Sequence, residues 1–189
     1  MAGSTDIDAT AHELFEHGHY QEAHEHYLRA AENGSVGAML RLGWMLLYGK
    51  GVSVDASAGE GWYQRAADTG LSIAQFYLGD HYWRQDKLNL AFLYMERAAE
   101  QLDPPAVHRL GAFYEWGIGT PQNFSKAKEL YGRAAELGHL FARRKLVGLM
   151  LKGEFGLAAI PAGFAEFVRV LCDVVREHAR DPESDLLRR

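Results

Sequence analysis

The stretch Ala66-Ala67-Asp68-Thr69-Gly70 is one copy of a short repeated pattern: two alanines, then a glycine after two further residues. Other copies start at Ala30, Ala98 and Ala134, although the copy at Ala98 has Leu102 where the others have glycine. Successive copies start 36, 32 and 36 residues apart. A nearly fixed spacing of this size is typical of proteins built from repeated helical units.

A second pattern, an alanine followed four residues later by Leu-Gly, runs in step with the first. Its copies pair Ala38 with Leu42, Ala74 with Leu78, Ala106 with Leu110 and, with valine in place of the glycine, Ala142 with Leu146. The spacings are again 36, 32 and 36 residues. Two patterns that keep the same spacing indicate one repeating unit.

The spacing inside each unit predicts helices. Three residues before each alanine pair stands a large side chain, and seven residues before it stands a small residue; the large residues are Tyr27, Tyr63, Met95 and Tyr131. These offsets lie on one helical face. The small residues of the Ala-x3-Leu-Gly pattern allow a second helix to approach closely. Each unit is therefore predicted to be a helical hairpin.

Glycine-rich stretches separate the two helices of some hairpins, at residues 49–55 and 117–123. We expect their glycines to adopt positive φ where the first helix ends. The third unit runs through residues 83–87 at this point and has four residues fewer than its neighbours, which accounts for the spacing of 32. Pro104-Pro105 is expected to start a new helix, since proline is tolerated in a first helical turn.

These residues resemble the Sel-one-like repeat family, a branch of the tetratricopeptide-like helical repeats. The second unit carries the pattern through Ala38, Leu42, Gly43, Gly49, Gly51, Asp55, Trp62, Tyr63, Ala66, Ala67 and Gly70. The resemblance implies an all-α, right-handed α-solenoid of stacked helical hairpins, because single hairpins cannot bury their apolar faces alone. It also implies a scaffold or adaptor that binds other proteins.

The predicted organisation follows from these boundaries. Residues 1–10 are expected to be a flexible N-terminus. The repeats are expected to span 11–35, 36–71, 72–103, 104–139 and 140–152. A capping helix is expected at 153–180 and a tail at 181–189. The apolar helix within 153–180 has a second interpretation, self-association into a homodimer, because its apolar face is wide.

Composition narrows the functional classes. The net charge of -5 and the pI near 6.0 argue against nucleic-acid or anionic-membrane partners, which usually require clustered cations. Cys172 is the only cysteine, so an internal disulfide is excluded and a reducing, cytoplasmic location is expected. No catalytic motif, signal-peptide pattern or apolar run of membrane-spanning length is found, and we predict a non-enzymatic protein without a cofactor.

The resemblance implies a contact surface on the first helix of each hairpin, at positions two before, two after and five after the Leu of the Leu-Gly pattern. The predicted partner-binding residues are Leu40, Trp44, Phe76, Asp80, Trp83, His108, Glu115 and Arg144. Their mixture of aromatic, aliphatic and charged groups favours a peptide or amphipathic helix as the ligand. For Leu40 and Phe76 the alternative is burial between adjacent hairpins.

Five of the nine histidines lie in the first hairpin, which raises a metal-responsive regulator as another alternative. His24 and His26 are two residues apart and would point to opposite sides of a helix, so the spacing does not suit a chelate. His12 to Glu16 has a glutamate where a zincin motif requires its second histidine. We therefore predict no metal site.

Overall fold

The structure, a computed structural model, describes residues 4–151 together with Ala165 and Arg169. Within residues 4–151 every regular element is an α-helix, in the order α1 (Ser4–Glu16), α2 (Tyr20–Glu32), α3 (Val36–Tyr48), α4 (Ala56–Asp68), α5 (Ser72–Arg84), α6 (Leu88–Glu100), α7 (Pro104–Trp116), α8 (Phe124–Glu136) and α9 (Leu140–Leu151). The predicted all-α helical-repeat fold is confirmed. The predicted capping helix and tail lie outside the described residues, apart from Ala165 and Arg169.

The connections follow the glycine pattern. Residues 49–55 join α3 to α4 and residues 117–123 join α7 to α8, whereas three residues, 85–87, join α5 to α6. Gly49 and Gly117 end their helices in the left-handed region, with φ of 68° and 69°. The prediction of positive φ at these helix ends is confirmed, and the short connection explains the 32-residue spacing.

Polar side chains fix where several helices begin. Ser35, Asp55, Asp103 and Asn123 each accept a hydrogen bond from the backbone N–H three residues later, at 2.9 to 3.2 Å. Each bond satisfies one N–H that has no partner inside its helix. Among the described helices, none is long and apolar enough to cross a lipid bilayer.

The first helix starts earlier than the sequence analysis expects. We placed residues 1–10 in a flexible N-terminus, but α1 begins at Ser4. Residues 4–8 read Ser-Thr-Asp-Ile-Asp, and serine, threonine and aspartate are residue types favoured at the start of a helix.

The chain forms two compact units, the first ending at Gln101 and the second beginning at Leu102. The core of the first unit consists largely of small residues; Ala23, Ala30 and Ala66 are fully buried together with Leu42 and Met45. In the second unit Ala106, Phe113, Ala127, Tyr131 and Ala134 are at most 1% exposed. Alanine at these positions lets the helices approach closely. The large tyrosines fill the space that the alanines leave.

Candidate binding surfaces

A furrow of about 350 Å³ lies between α3 and α5 in the first unit. Its lining residues are Gly37, Leu40, Arg41 and Trp44 from α3, Tyr63 from α4, and Ile73 and Tyr77 from α5. A smaller depression of about 140 Å³ shares Trp44, Tyr63 and Tyr77 and adds Tyr48, Asp80, His81 and Arg84. Because the two depressions share three residues, we treat them as one surface, the α3–α5 furrow.

The walls of the furrow expose large apolar side chains. Tyr48 is 51% exposed, Ile73 is 50% exposed and Tyr77 is 45% exposed, whereas Tyr63 at the base is 5% exposed. The Trp44 and Tyr48 rings lie 5.4 Å apart, and the Tyr63 and Tyr77 rings lie 6.5 Å apart. Rings at such separations attract each other and hold each other in place. The furrow is therefore a preformed aromatic surface.

The glycine of the Leu-Gly pattern explains the position of Tyr63. A Cβ atom at Gly43 would lie 2.6 Å from Cδ1 of Tyr63 and 3.0 Å from the carbonyl oxygen of Gly59. Only glycine leaves space for the tyrosine ring against α3. In the second unit Gly111 plays the same part, since its Cβ would lie 3.0 Å from Tyr131.

The furrow carries few charges. Arg84 Nε donates to Asp80 Oδ2 at 2.7 Å, and this hydrogen bond and the charge of Asp80 raise the pKa of Arg84. Burial lowers the pKa of His81, although Glu60 at 3.6 Å opposes the shift, so His81 is neutral near pH 7. Arg41 lies over the Phe15 ring at 4.8 Å. Since Asp80 and Arg84 cancel, Arg41 leaves the lining residues with one net positive charge.

A second pocket, of about 510 Å³, lies between α7 and α9 in the second unit. We call it the α7–α9 pocket; His108 lines it from α7, and Phe141, Arg144 and Lys145 line it from α9. It corresponds to the furrow in the repeat. Ile73 and Phe141 both lie five residues before the Leu of their units, and Tyr77 and Lys145 both lie one residue before it. Equivalent positions therefore form an aromatic surface in one unit and a cationic pocket in the other.

A buried carboxylate holds one wall of the α7–α9 pocket. Glu115 is 4% exposed; its Oε2 accepts a hydrogen bond from the Tyr131 hydroxyl at 2.6 Å, and its Oε1 lies 3.0 Å from Lys145 Nζ. Burial, together with the Glu115 hydrogen bond, raises the pKa of Tyr131. Both carboxylate oxygens are engaged inside the protein, and the Lys145 ammonium is fixed at the pocket.

Two histidines support the same pocket. The His108 and His139 rings stack with centroids 4.6 Å apart, and His139 Nδ1 accepts a hydrogen bond from the Ala142 backbone N–H at the start of α9. Burial, helped by the neighbouring His139, Arg109 and Lys145, lowers the pKa of His108 to about 4. Burial also lowers the pKa of His139, against the charge of Asp103. Neutral imidazoles are therefore part of the folded second unit.

The structure distributes the predicted contact residues unevenly. Leu40, Trp44 and Asp80 lie in the α3–α5 furrow, and His108 and Arg144 lie in the α7–α9 pocket. Phe76 and Trp83 are half-buried and line none of the pockets described above. Glu115 is buried, so its carboxylate positions Lys145 instead of facing a ligand directly.

Sequence reasoning missed several lining residues, chiefly Tyr48, Ile73, Tyr77, Phe141 and Lys145. The prediction used the same three positions relative to the Leu of the Leu-Gly pattern in every first helix. Two neighbouring helices, however, must use different edges to face a common furrow. A usable signal was present, since Tyr48, Ile73 and Tyr77 are large apolar residues outside the repeating core positions.

The described residues contain no group of three or more histidine, cysteine or acidic side chains arranged to hold a metal ion. In the first hairpin, His17 Nδ1 lies 2.8 Å from the Glu13 carbonyl oxygen and His19 lies 3.5 Å from Glu22. The metal-responsive alternative stays a prediction.

Short helices paired into hairpins, with depressions lined by the first helices of successive hairpins, define a helical-repeat protein. A family model described as the Sel1 repeat matches residues 13–35, 36–71, 72–101 and 104–139. The chain belongs to the Sel1-repeat family, as the sequence resemblance indicated. Proteins of this family generally mediate protein–protein interactions and are typically non-catalytic.

Known relatives match only part of their own length. An uncharacterised protein of Neisseria meningitidis serogroup B is 29% identical over 165 residues, 68% of this chain and 35% of that protein. DAP3-binding cell death enhancer 1 of Mus musculus is 35% identical over 85 residues, 44% of this chain and 17% of that protein. A Sel1 repeat protein from Oxalobacter formigenes of known structure superposes with a TM-score of 0.76 at 28% identity, covering 86% of this chain and 68% of that chain. The chain spans about a third or less of the two sequence relatives.

Proposed function

We propose that this protein is a non-enzymatic adaptor that binds a peptide or amphipathic helix of a partner protein in the α3–α5 furrow. The observation that carries the proposal is the exposure of Tyr48, Ile73 and Tyr77, each close to half exposed, along one preformed furrow. Isolated apolar residues are ordinary on a protein surface, but a contiguous group that lines a depression is typical of a binding site.

The chemistry of the furrow favours an amphipathic ligand. Leu40, Trp44 and Tyr77 offer apolar contact, and aromatic anchors contribute much of the binding energy at protein interfaces. Arg41 and the Asp80–Arg84 pair also line the furrow and offer polar contacts. A segment that presents apolar side chains on one face and polar groups at its edges fits this arrangement.

The family membership supports the same class of function. The mouse relative is named for binding another protein, DAP3. The alternative of a homo-oligomer formed through the C-terminal helix concerns residues outside the described part of the chain and stays a prediction.

The test measures binding of peptides selected from a random display library on the wild-type chain. We expect Tyr77→Ala to weaken the selected peptides at least about tenfold, because an anchor ring and its buried contact area are lost. Leu93→Ala is the matched control, since Leu93 is 38% exposed on α6 and lines neither pocket; its effect should stay within about twofold.

Trp83→Ala distinguishes the furrow from the surface predicted by sequence alone. If peptide binding is lost with Trp83→Ala and kept with Tyr77→Ala, the furrow is not the site. Circular dichroism of each variant checks that the helices remain formed, so a loss of binding is not a loss of fold.

A further inference from the structure

We propose that the α7–α9 pocket binds an acidic segment of a protein partner, with Arg144 contacting a carboxylate of that segment. The inference shares one premise with the proposed function, that the ligand is a protein, but it concerns a different pocket in a different unit. Its residues are His108 on α7 and Phe141, Arg144 and Lys145 on α9.

The segment that forms the pocket is positively charged, unlike the rest of the described chain. Residues 102–151 contain seven Lys and Arg against four Asp and Glu, a net charge of +3. Residues 4–101 contain seven Lys and Arg against fourteen Asp and Glu, a net charge of -7. A positive segment inside an acidic chain marks the place where an anionic ligand is attracted instead of repelled.

Both cations of the pocket can still donate hydrogen bonds to a ligand. Lys145 is 37% exposed, and the buried Glu115 holds its ammonium in place. The ammonium can donate three hydrogen bonds, and the contact with Glu115 uses only part of this capacity. Arg144 is exposed and lies 5.9 Å from the Phe141 ring centroid, and it forms no ion pair with a carboxylate within the described residues. The guanidinium can therefore donate two parallel hydrogen bonds to the oxygens of one carboxylate.

The pocket combines aromatic and cationic side chains. Phe141 and the neutral His108 provide aromatic surface beside the two cations, and His139 stacks on His108. A ligand with a carboxylate next to an apolar side chain would match both the cations and the aromatic surface. Acidic stretches of proteins contain such neighbouring side chains. Nucleic acid and anionic membranes present extended arrays of charge, which the net charge of -7 on residues 4–101 would oppose.

The test uses three fluorescein-labelled peptides of about twelve residues that share Leu and Phe and differ only in carrying Glu, Gln or Lys between them. We expect the Glu peptide to bind at least about fivefold more tightly than the Gln peptide and the Lys peptide to bind most weakly. The preference for Glu should shrink as NaCl rises from about 50 to about 200 mM, because salt screens exposed charges.

The variants locate the effect. Arg144→Gln should reduce the preference for Glu over Gln to less than about twofold, and Arg144→Lys should retain part of it. Arg133→Gln is the matched control, because Arg133 is an exposed arginine of the same unit that lines neither pocket, and it should leave the preference unchanged. Tyr77→Ala should also leave it unchanged, so failure here and failure of the furrow are separate results.

Four outcomes would overturn the inference. Equal binding of the Glu and Gln peptides would show that the pocket does not select carboxylates, and a preference that survives Arg144→Gln would place the selection elsewhere. If single-stranded DNA or phosphatidylserine vesicles displace the Glu peptide from the wild-type chain but not from the Arg144→Gln variant, that result would assign the pocket to a polyanion. Salt-sensitive self-association lost with the same variant would assign it to a second copy of this chain.

Discussion

At the scale of single residues, one position keeps a conformation for which its side chain is poorly suited. Leu102 has φ of 61°, in the left-handed region where the equivalent Gly34, Gly70 and Gly138 have φ between 82° and 91°. The repeat requires this conformation to turn from one hairpin to the next, whichever residue occupies the position. A side chain with a Cβ atom makes the left-handed region unfavourable by about 1 to 2 kcal/mol.

Leu102→Gly is therefore expected to stabilise the chain by about 1 kcal/mol, measured as the free energy of unfolding in urea. The reciprocal variant, Gly70→Ala, should destabilise it by a similar amount, since Gly70 has φ of 82° and no atom within 4 Å of an added Cβ. If Leu102→Gly is destabilising, the contacts of the leucine side chain outweigh the backbone strain.

Gly43 tests the packing that positions the furrow. Gly43→Ala is expected to destabilise the chain by about 1 to 3 kcal/mol, because the new methyl group would lie 2.6 Å from Tyr63. Gly61→Ala, in α4 with no atom within 4 Å of its added Cβ, should stabilise by up to about 1 kcal/mol through its higher helix propensity. Thermal unfolding of both variants measures the difference, and similar effects would show that Gly43 is not a packing requirement.

At the scale of helices, the start of α9 links stability to pH. His108 has its pKa lowered from 6.5 to about 4 in the folded chain, so the unfolded chain binds more protons between these pH values. Stability therefore falls as pH decreases from about 6.5 to about 4 and this contribution is lost below that range. Protonation of His139 at Nδ1 would add to the loss, because that nitrogen accepts the hydrogen bond from Ala142.

His108→Gln should flatten this dependence, giving a smaller drop in the urea midpoint between pH 7 and about pH 5 than the wild-type chain shows. His12→Gln, at an exposed position of α1, is the control and should keep the wild-type drop. An equal drop in all three proteins would mean that His108 does not contribute.

The helices also show which parts of the structure the sequence could predict. The hairpins, their short connection at 85–87 and the alanine-lined core follow from spacing, because small residues at fixed offsets leave few other ways to pack. The furrow was only half predicted. Trp44 was identified on α3, but Ile73 and Tyr77 were missed on α5, since the edge that a helix presents depends on the rotation of its neighbour and not on its own pattern.

At the scale of the whole molecule, the two units carry related pockets of different chemistry. The α3–α5 furrow in the first unit is aromatic, and the α7–α9 pocket in the second unit is cationic. Repeats allow this because the core positions maintain the fold while the lining positions vary independently. Ligands of each pocket can therefore be tested separately in the intact chain.

The most direct measurement is an NMR titration of the intact chain with a selected peptide, following the indole N–H signals of its four tryptophans. Trp44 lines the α3–α5 furrow, whereas Trp62 lies against Arg65 on α4 and Trp83 lines neither pocket. We expect the Trp44 signal to shift while those of Trp62 and Trp83 stay in place. A shift of Trp83 without a shift of Trp44 would contradict binding in the α3–α5 furrow.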